Sequence, residues 1–537
     1  MLFKALYKYN RHFVLIILFC LTECIIDPIG NFPLNDDWWY AKTLQHFLDH
    51  KPGFVSWSSS TQVGQTFSAF LFAKLVGSTF TALRFYTLTL SLIGILVFYN
   101  LCSTFIFKNG SKALLASLLL MFCPFYISLS NSFMTEIPLI AFLILSLYFY
   151  FKYTASNKWL HLLWSLLFLG LAVLTRQVAL VFALGIAMAA FMQNRSSKIS
   201  MGLFILIPFG LLFLFELWLK QHDASSAYPF VFSSNGNYRG AVSFIDLLFN
   251  VSKRWVHYVT ILGFILSPLL IASMVHSLQN IKTSYYNFKS LLSLALFGIV
   301  LISFKNFPIG NYLYDCGFGP DTLYDSYIEG SHHATNSSTI LFGVIRVITL
   351  LSSFQLMYLI VGFIITLILS IRQKTKSDHF LLVFFISLAS YYLFYCYSSA
   401  LFDRYIFIGC IPLLFILINE TSNKIHKPTF MVLIFLLAIF SALSTRDYLS
   451  FNRSRWESIS ELKSNNITDS DINGGYEHEG YCFSDSLDWV AKWHNVHPHK
   501  YMIAHGNLKN YKPIRYKICQ RFIPFKKDSI YVLERIQ

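Results

Sequence analysis

The chain has 537 residues, of which 55% are hydrophobic, 18% aromatic and only 13% charged, with a formal net charge of +15. Soluble domains carry roughly 25% charged residues, so this composition excludes a soluble globular protein and makes the lipid bilayer the expected partner of most of the surface. Most Lys and Arg fall in short loops between apolar runs, where they read as a topology signal and a contact with anionic headgroups rather than as a nucleic-acid surface.

The first apolar run, 13–26, follows Lys4, Lys8 and Arg11 and has no small-residue cleavage site behind it, so it reads as an uncleaved signal anchor. Further candidate spans follow at 83–107, 113–130, 136–151, 160–174, 178–193, 200–219, 256–276, 290–305, 340–371, 380–400, 405–419 and 428–444. The expected fold class is an α-helical polytopic membrane protein with about 13 transmembrane helices. Alternate loops are basic, holding Lys108, Lys112, Lys152, Lys158, Arg195, Lys198, Lys282, Lys289, Arg372, Lys374, Lys376, Lys424 and Lys427. This bias puts the N-terminus in the cytoplasm, and an odd number of crossings puts the tail outside. The run 340–371 is long enough for one tilted helix or for two crossings, and two would reverse everything after it.

The sequence divides into a transmembrane domain, 1–445, and an extracytoplasmic C-terminal domain, 446–537. Three outer loops stand out, at 27–82, 220–255 and 306–339. The first holds an amphipathic stretch, 62–76, expected to lie at the interface. The second ends in a surface helix at 244–249, and the third is rich in Gly, Pro and Tyr without periodicity, as lids and binding segments are. The tail reads as a small α/β domain with strands near 516–522 and 529–533.

Charged residues in so apolar a chain are few, and several map to the outer ends of spans. Asp36 and Asp37 stand side by side before Trp38, Trp39 and Tyr40; Glu136 opens the fourth span. Arg84 opens the second, Arg176 lies between the fifth and sixth, and Arg404 lies between the eleventh and twelfth. Two adjacent carboxylates are intolerable inside lipid, so they belong at a water-accessible face, where one can take a proton from a hydroxyl. Arginine offers the planar donor fork that suits a phosphate. Each residue also has a structural reading: a loop carboxylate, a helix N-terminal acid, an arginine that snorkels to headgroups.

His332 and His333, with Asp315, Asp321 and Asp325, match no common metal-site spacing, and the nine cysteines show no CxxC or Cys/His cluster. No metal and no cofactor are therefore expected. A bridge between Cys482 and Cys519 is one open pairing.

The order of these motifs resembles the membrane glycosyltransferases of the C superfamily, in particular the branch of protein O-mannosyltransferases and the lipid A aminoarabinose transferase. Asp36-Asp37-Trp38-Trp39-Tyr40 is similar to the family's Asp-Glu-x-x-Tyr, with Asp in place of Glu. Leu83-Arg84, Glu136, Leu174-Thr175-Arg176 and Phe402-Asp403-Arg404-Tyr405 with Pro412 resemble later motifs in the same order. No motif is assigned between 219 and 380, and Gly474-Gly475-Tyr476-Glu477 resembles a Gly-Phe-Glu string of some bacterial relatives.

The resemblance implies a hexosyl- or pentosyltransferase that moves a sugar from a polyprenyl-phosphate donor to a hydroxyl-bearing acceptor, whether glycan, lipid or protein, at the outer or lumenal face. It implies a bacterial inner or plasma membrane setting. Asp36 is expected to act as general base in an inverting displacement, with Asp37 beside it, and Tyr40, Arg84, Glu136, Arg176, Arg404 and Tyr405 are expected to bind substrate. The alternatives are an envelope glycan polymerase or ligase, with its essential residues in 220–255 or 306–339, and a transporter or flippase.

Overall fold

A computed structural model describes residues 2–50, 61–193, 198–221, 244–279, 288–303, 311–313, 340–372, 379–397, 402–421, 423–483, 499–522 and 527–536. The lid assigned to 306–339, apart from 311–313, and the pair His332-His333 lie outside the described residues.

The chain opens with α1 (Leu2–Ile26), then α2 (Asp37–Leu48) and α3 (Val63–Val76), which belong to the first outer loop. Next come α4 (Phe80–Leu101), α5 (Gly110–Met121), α6 (Pro124–Ser130), α7 (Glu136–Ser156), α8 (Trp159–Thr175), α9 (Leu180–Gln193) and α10 (Lys198–Gln221). The second half holds α11 (Phe244–Ile265), α12 (Ser267–Gln279), α13 (Phe288–Ser303), α14 (Asn311–Leu313), α15 (Ile340–Arg372), α16 (His379–Tyr397), α17 (Asp403–Thr421) and α18 (Lys427–Ser464). Each apolar run read from the sequence carries helix within the described residues. Among those residues six helices are long and apolar enough to cross a membrane, or up to eight if each bent pair is one span.

Exposed side chains say which faces meet lipid. Leu160, Leu163 and Leu167 on α8, and Met431, Phe435 and Ile439 on α18, recur at helical spacing and are all exposed. In α3 the large residues Phe67, Leu71 and Leu75 face outward while Gly64, Ala69 and Ala73 are buried. Gly64 allows this contact, since a Cβ there would come within 2.1 Å of the Leu171 carbonyl oxygen on α8. By contrast α7 and α17 are buried along nearly their whole length and form the centre of the bundle.

Two expectations change in the structure, the straightness of two runs and the extent of one surface helix, and a third, the single span at 340–371, stands against its alternative. The runs 113–130 and 256–276 are bent, by 61° between α5 and α6 and by 82° between α11 and α12. At each bend a proline, Pro124 or Pro268, sits in the first turn of the second helix, where its missing N–H leaves no intrahelical bond unmade. The surface helix expected at 244–249 is the first part of α11, which continues to Ile265. The run 340–371 is one continuous helix, α15, so it is not split into two.

The tail is a small sheet with a helix. Strands β1 (Ile472–Asn473), β2 (Tyr501–Ala504), β3 (Tyr511–Gln520) and β4 (Lys527–Arg535) lie in the order β1-β2-β4-β3, and α19 (Tyr476–Phe483) follows β1. The β1–β2 pair is parallel and the others antiparallel, with an irregularity between Pro513 and Arg515, where proline cannot donate to the ladder. The boundary read at 445/446 falls inside α18. Beyond it the helix turns polar and holds the sheet: Asp447 accepts from the Phe522 N–H at 3.0 and 2.9 Å, and Lys517 pairs with Glu461 at 2.7 Å. Cys482 and Cys519 are not joined by a disulfide, so the bridge considered from sequence is not formed.

Candidate active site

The loop between α1 and α2 is fixed from two sides by guanidinium groups. Arg84 of α4 donates to the carbonyls of Pro28 (2.6 Å), Gly30 (3.1 Å) and Phe32 (3.1 Å), with the Phe32 ring 5.0 Å from its Cζ. Arg453 of α18 donates to the carbonyls of Asp27 (3.1 Å) and Ile29 (2.7 Å). Asn35 then adopts a left-handed backbone, φ +50°, which asparagine tolerates better than most residues. Its N–H donates to Glu477 (3.1 Å) and its side-chain amide to Tyr448 (3.2 Å).

That turn sends the two aspartates in different directions. Asp36, at the N-terminal end of α2, keeps 34% of its side chain exposed; Oδ2 meets Arg404 Nη2 at 3.0 Å and Oδ1 accepts from the Tyr476 hydroxyl at 2.8 Å. Asp37 is 1% exposed, with Oδ1 accepting from the Leu34 N–H at 2.6 Å and Oδ2 from the Phe133 N–H at 3.4 Å. Burial pushes the Asp37 carboxyl well above the usual carboxylate range, while the Leu34 N–H and the Arg84 charge pull the other way. Only one member of the pair therefore faces the solvent.

A second ion pair lies beside the first. Glu136, the first residue of α7 and fully buried, bonds through Oε1 to Arg176 Nη1, and Arg404 Nε lies 3.6 Å from the same oxygen. Glu136 Oε2 has no hydrogen-bond partner among the described residues. Arg176 has left the helix at the end of α8, with extended backbone, and donates also to Thr135 Oγ1 at 3.2 Å. The Tyr405 ring lies between the two arginines, 4.9 Å from Arg176 Cζ and 5.6 Å from Arg404 Cζ, within cation–π range. Tyr40 is buried within electrostatic reach of Asp36, Arg176, Glu136 and Arg404. Burial and then the Asp36 charge push its phenol up to about 12.

Asp36, Tyr40, Glu136, Arg176, Arg404 and Tyr405 are thus gathered at one end of the bundle. Arg84 is not among them: it is 1% exposed and its guanidinium is spent on loop carbonyls.

Three residues without an assigned role from sequence join the site. Asp403 is buried and accepts from the Tyr312 N–H (2.9 Å), the Leu313 N–H (3.1 Å) and the Arg404 N–H (2.9 Å), so it anchors α14 beside Arg404. Tyr476 and Glu477 come from α19. Glu477 pairs with Arg455 of α18 while holding the Asn35 backbone. Helix α19 lies directly on α2, and a Cβ at Gly480 would come within 2.3 Å of the Trp38 ring. The Tyr476 ring meets Trp38 edge-on at 6.0 Å. The Gly474-Gly475-Tyr476-Glu477 string was the available sequence signal for this contact.

Residues 65–218 match the dolichyl-phosphate-mannose-protein mannosyltransferase family. Over that segment the resemblance to membrane glycosyltransferases read from the motifs is shown. Among solved structures, ArnT from Cupriavidus metallidurans bound to undecaprenyl phosphate is 10% identical, with 98% of each chain covered and a TM-score of 0.41. The apo state of the same protein is 11% identical, covering 96% of this chain and 97% of that one, also at a TM-score of 0.41. No curated protein matches the chain in sequence.

Proposed function

We propose that the chain is a glycosyltransferase that moves a sugar from a polyprenyl-phosphate carrier to a hydroxyl on a glycan, lipid or protein, at the outer face of the membrane. The match of residues 65–218 to a mannosyltransferase family supports the reaction class. The observation that carries the assignment of roles is Asp36: it is the carboxylate of the cluster that keeps solvent exposure, and it is held at both oxygens by Arg404 and Tyr476.

In this reading the acceptor hydroxyl binds against Asp36, which takes its proton as the oxygen attacks the anomeric carbon. The bond from that carbon to the phosphate oxygen breaks, the configuration inverts, and the polyprenyl phosphate leaves. General-base action contributes roughly 10²- to 10⁴-fold. Arg404 and Arg176 meet the leaving phosphate with planar donor forks, a favourable arrangement at the N-terminal ends of α7 and α17, where aligned peptide dipoles also favour an anion. Glu136 Oε2, buried and without a hydrogen-bond partner among the described residues, supplies an acceptor for a sugar hydroxyl. Asp37 acts on the loop instead, tying the Leu34 and Phe133 backbones together beneath the site. Arg84 likewise acts by shaping the loop.

The lipid-facing side of α3 brings the bilayer to this end of the bundle, so a lipid-linked donor enters sideways with its phosphate at headgroup level. In the same reading the N-terminus lies in the cytoplasm and residues 446–537 lie outside, an orientation supported by the alternation of basic loops. The test is to incubate purified protein with a panel of polyprenyl-phosphate sugars, with and without a hydroxyl acceptor, and to measure free polyprenyl phosphate. Acceptor-dependent release with at least one donor is expected; release with none would overturn the assignment.

A further inference from the structure

The C-terminal domain contains a cluster that the active site does not use. Asp469, on the turn after α18, and His478 and Cys482, on α19, bring an oxygen, a ring nitrogen and a sulfur within 4.8 Å of one another. His478 and Cys482 are one helical turn apart, which puts both on one face of α19. His478 is 1% exposed, packed against the Trp456 ring at 5.8 Å, whereas Asp469 and Cys482 are half-buried, so the cluster is open to solvent on one side.

We propose that Asp469, His478 and Cys482 form a zinc site that clasps α19 to the end of α18. His478 Nε2 lies 3.1 Å from Asp469 Oδ1, close to the separation of about 3.4 Å expected for nitrogen and oxygen ligands of one tetrahedral zinc. The other Asp469 oxygen is taken by Lys463 Nζ at 2.8 Å, which leaves Oδ1 for the ion. On the far side of the imidazole, Nδ1 faces Glu479 Oε1 at 3.7 Å, and both atoms are buried with no hydrogen-bond partner among the described residues. Zinc-bound histidines nearly always give their second N–H to a carboxylate or carbonyl, which fixes tautomer and ring orientation. Glu479 fills that role. One oxygen, one nitrogen and one sulfur donor make a mixed set that suits borderline-soft zinc better than calcium or magnesium.

The consequence is positional. The clasped helix is the one that presents Tyr476 to Asp36 and rests Gly480 on Trp38, so the ion holds the C-terminal domain in register with the membrane site. The cluster was invisible as a motif because Asp469 comes from outside α19 and the His-x-x-x-Cys pair has no second pair beside it.

The test uses the purified full-length chain, stripped with a chelator and then exposed to zinc or cobalt(II). About one zinc per chain should remain after gel filtration, and cobalt should give the near-ultraviolet thiolate band of a Co–S bond. Cys482→Ser should remove the band, and His478→Ala should remove the retained zinc. Glu479→Gln should weaken zinc binding about 10- to 100-fold. Metal-free Cys482→Ser should melt where metal-free wild type does, which separates loss of a ligand from loss of the fold. No zinc retained, or equal retention and an unchanged cobalt spectrum in Cys482→Ser and His478→Ala, would overturn the site.

Discussion

The Tyr476 hydroxyl donates to Asp36 Oδ1 at 2.8 Å across 440 residues of sequence, so the C-terminal domain reaches the residue proposed as general base. Arg404 holds the other oxygen from the membrane domain. Asp36 is therefore oriented by both parts of the chain.

Tyr476→Phe removes that hydrogen bond and keeps the ring that packs on Trp38. Hydrogen bonds to charged groups contribute about 1.5–3 kcal/mol. Transfer should fall at least about tenfold in kcat with the donor KM unchanged and the melting temperature nearly unchanged. A wild-type rate would show that Tyr476 does not orient the base.

The buried pair of Glu136 and Arg176 should behave as a unit. Breaking such a pair from one side costs about 3–5 kcal/mol, because a charge is left behind without its partner. Glu136→Gln and Arg176→Met should each destabilise by that amount in detergent melts, and the double variant by clearly less than the sum. Additive losses would mean the two are not coupled.

Arg84 provides a direct contrast between sequence and fold. Its position before a span suggested a phosphate ligand, but its guanidinium bonds to Pro28, Gly30 and Phe32 carbonyls. Arg84→Lys should cost about 3 kcal/mol of stability while the donor KM of the folded fraction stays as it is. A tenfold rise in donor KM with unchanged melting would restore the phosphate role.

Asp37 sets a pH dependence. Burial raises its folded pKa, so its contribution to stability is complete below the unfolded carboxylate range and is lost as pH rises through the folded value. Asp37→Asn carries no such titration. The stability of the wild type relative to Asp37→Asn should therefore decline as pH rises above about 4, by up to about 1.4 kcal/mol per pH unit. A constant difference between pH 4 and 8 would contradict the raised value.

What the sequence revealed and what it hid follow from range. Apolar runs were legible because crossing lipid requires about 20 apolar residues in a row. Asp36, Glu136, Arg176 and Arg404 were legible because charges are rare in such a chain, and each stands out against its neighbours. The bends at Pro124 and Pro268 were harder to see, since proline in a first turn is compatible with one straight span or two bent pieces. The different fates of Asp36 and Asp37 depend on the left-handed turn at Asn35 and on Phe133, almost a hundred residues away. Likewise α18 continues past its apolar half because Asp447, Glu457 and Glu461 find partners on β3 and just beyond it, at Phe522, which a local pattern cannot show.

The measurement that bears most directly on the whole account is transfer by Asp36→Asn, assayed as acceptor-dependent release of polyprenyl phosphate from purified protein. The substitution keeps the size of the side chain and removes its charge and basicity. The account predicts a loss of about 10²-fold or more, with expression, membrane insertion and the donor KM close to those of the wild type. Full activity in Asp36→Asn would contradict the assignment of Asp36 as the base.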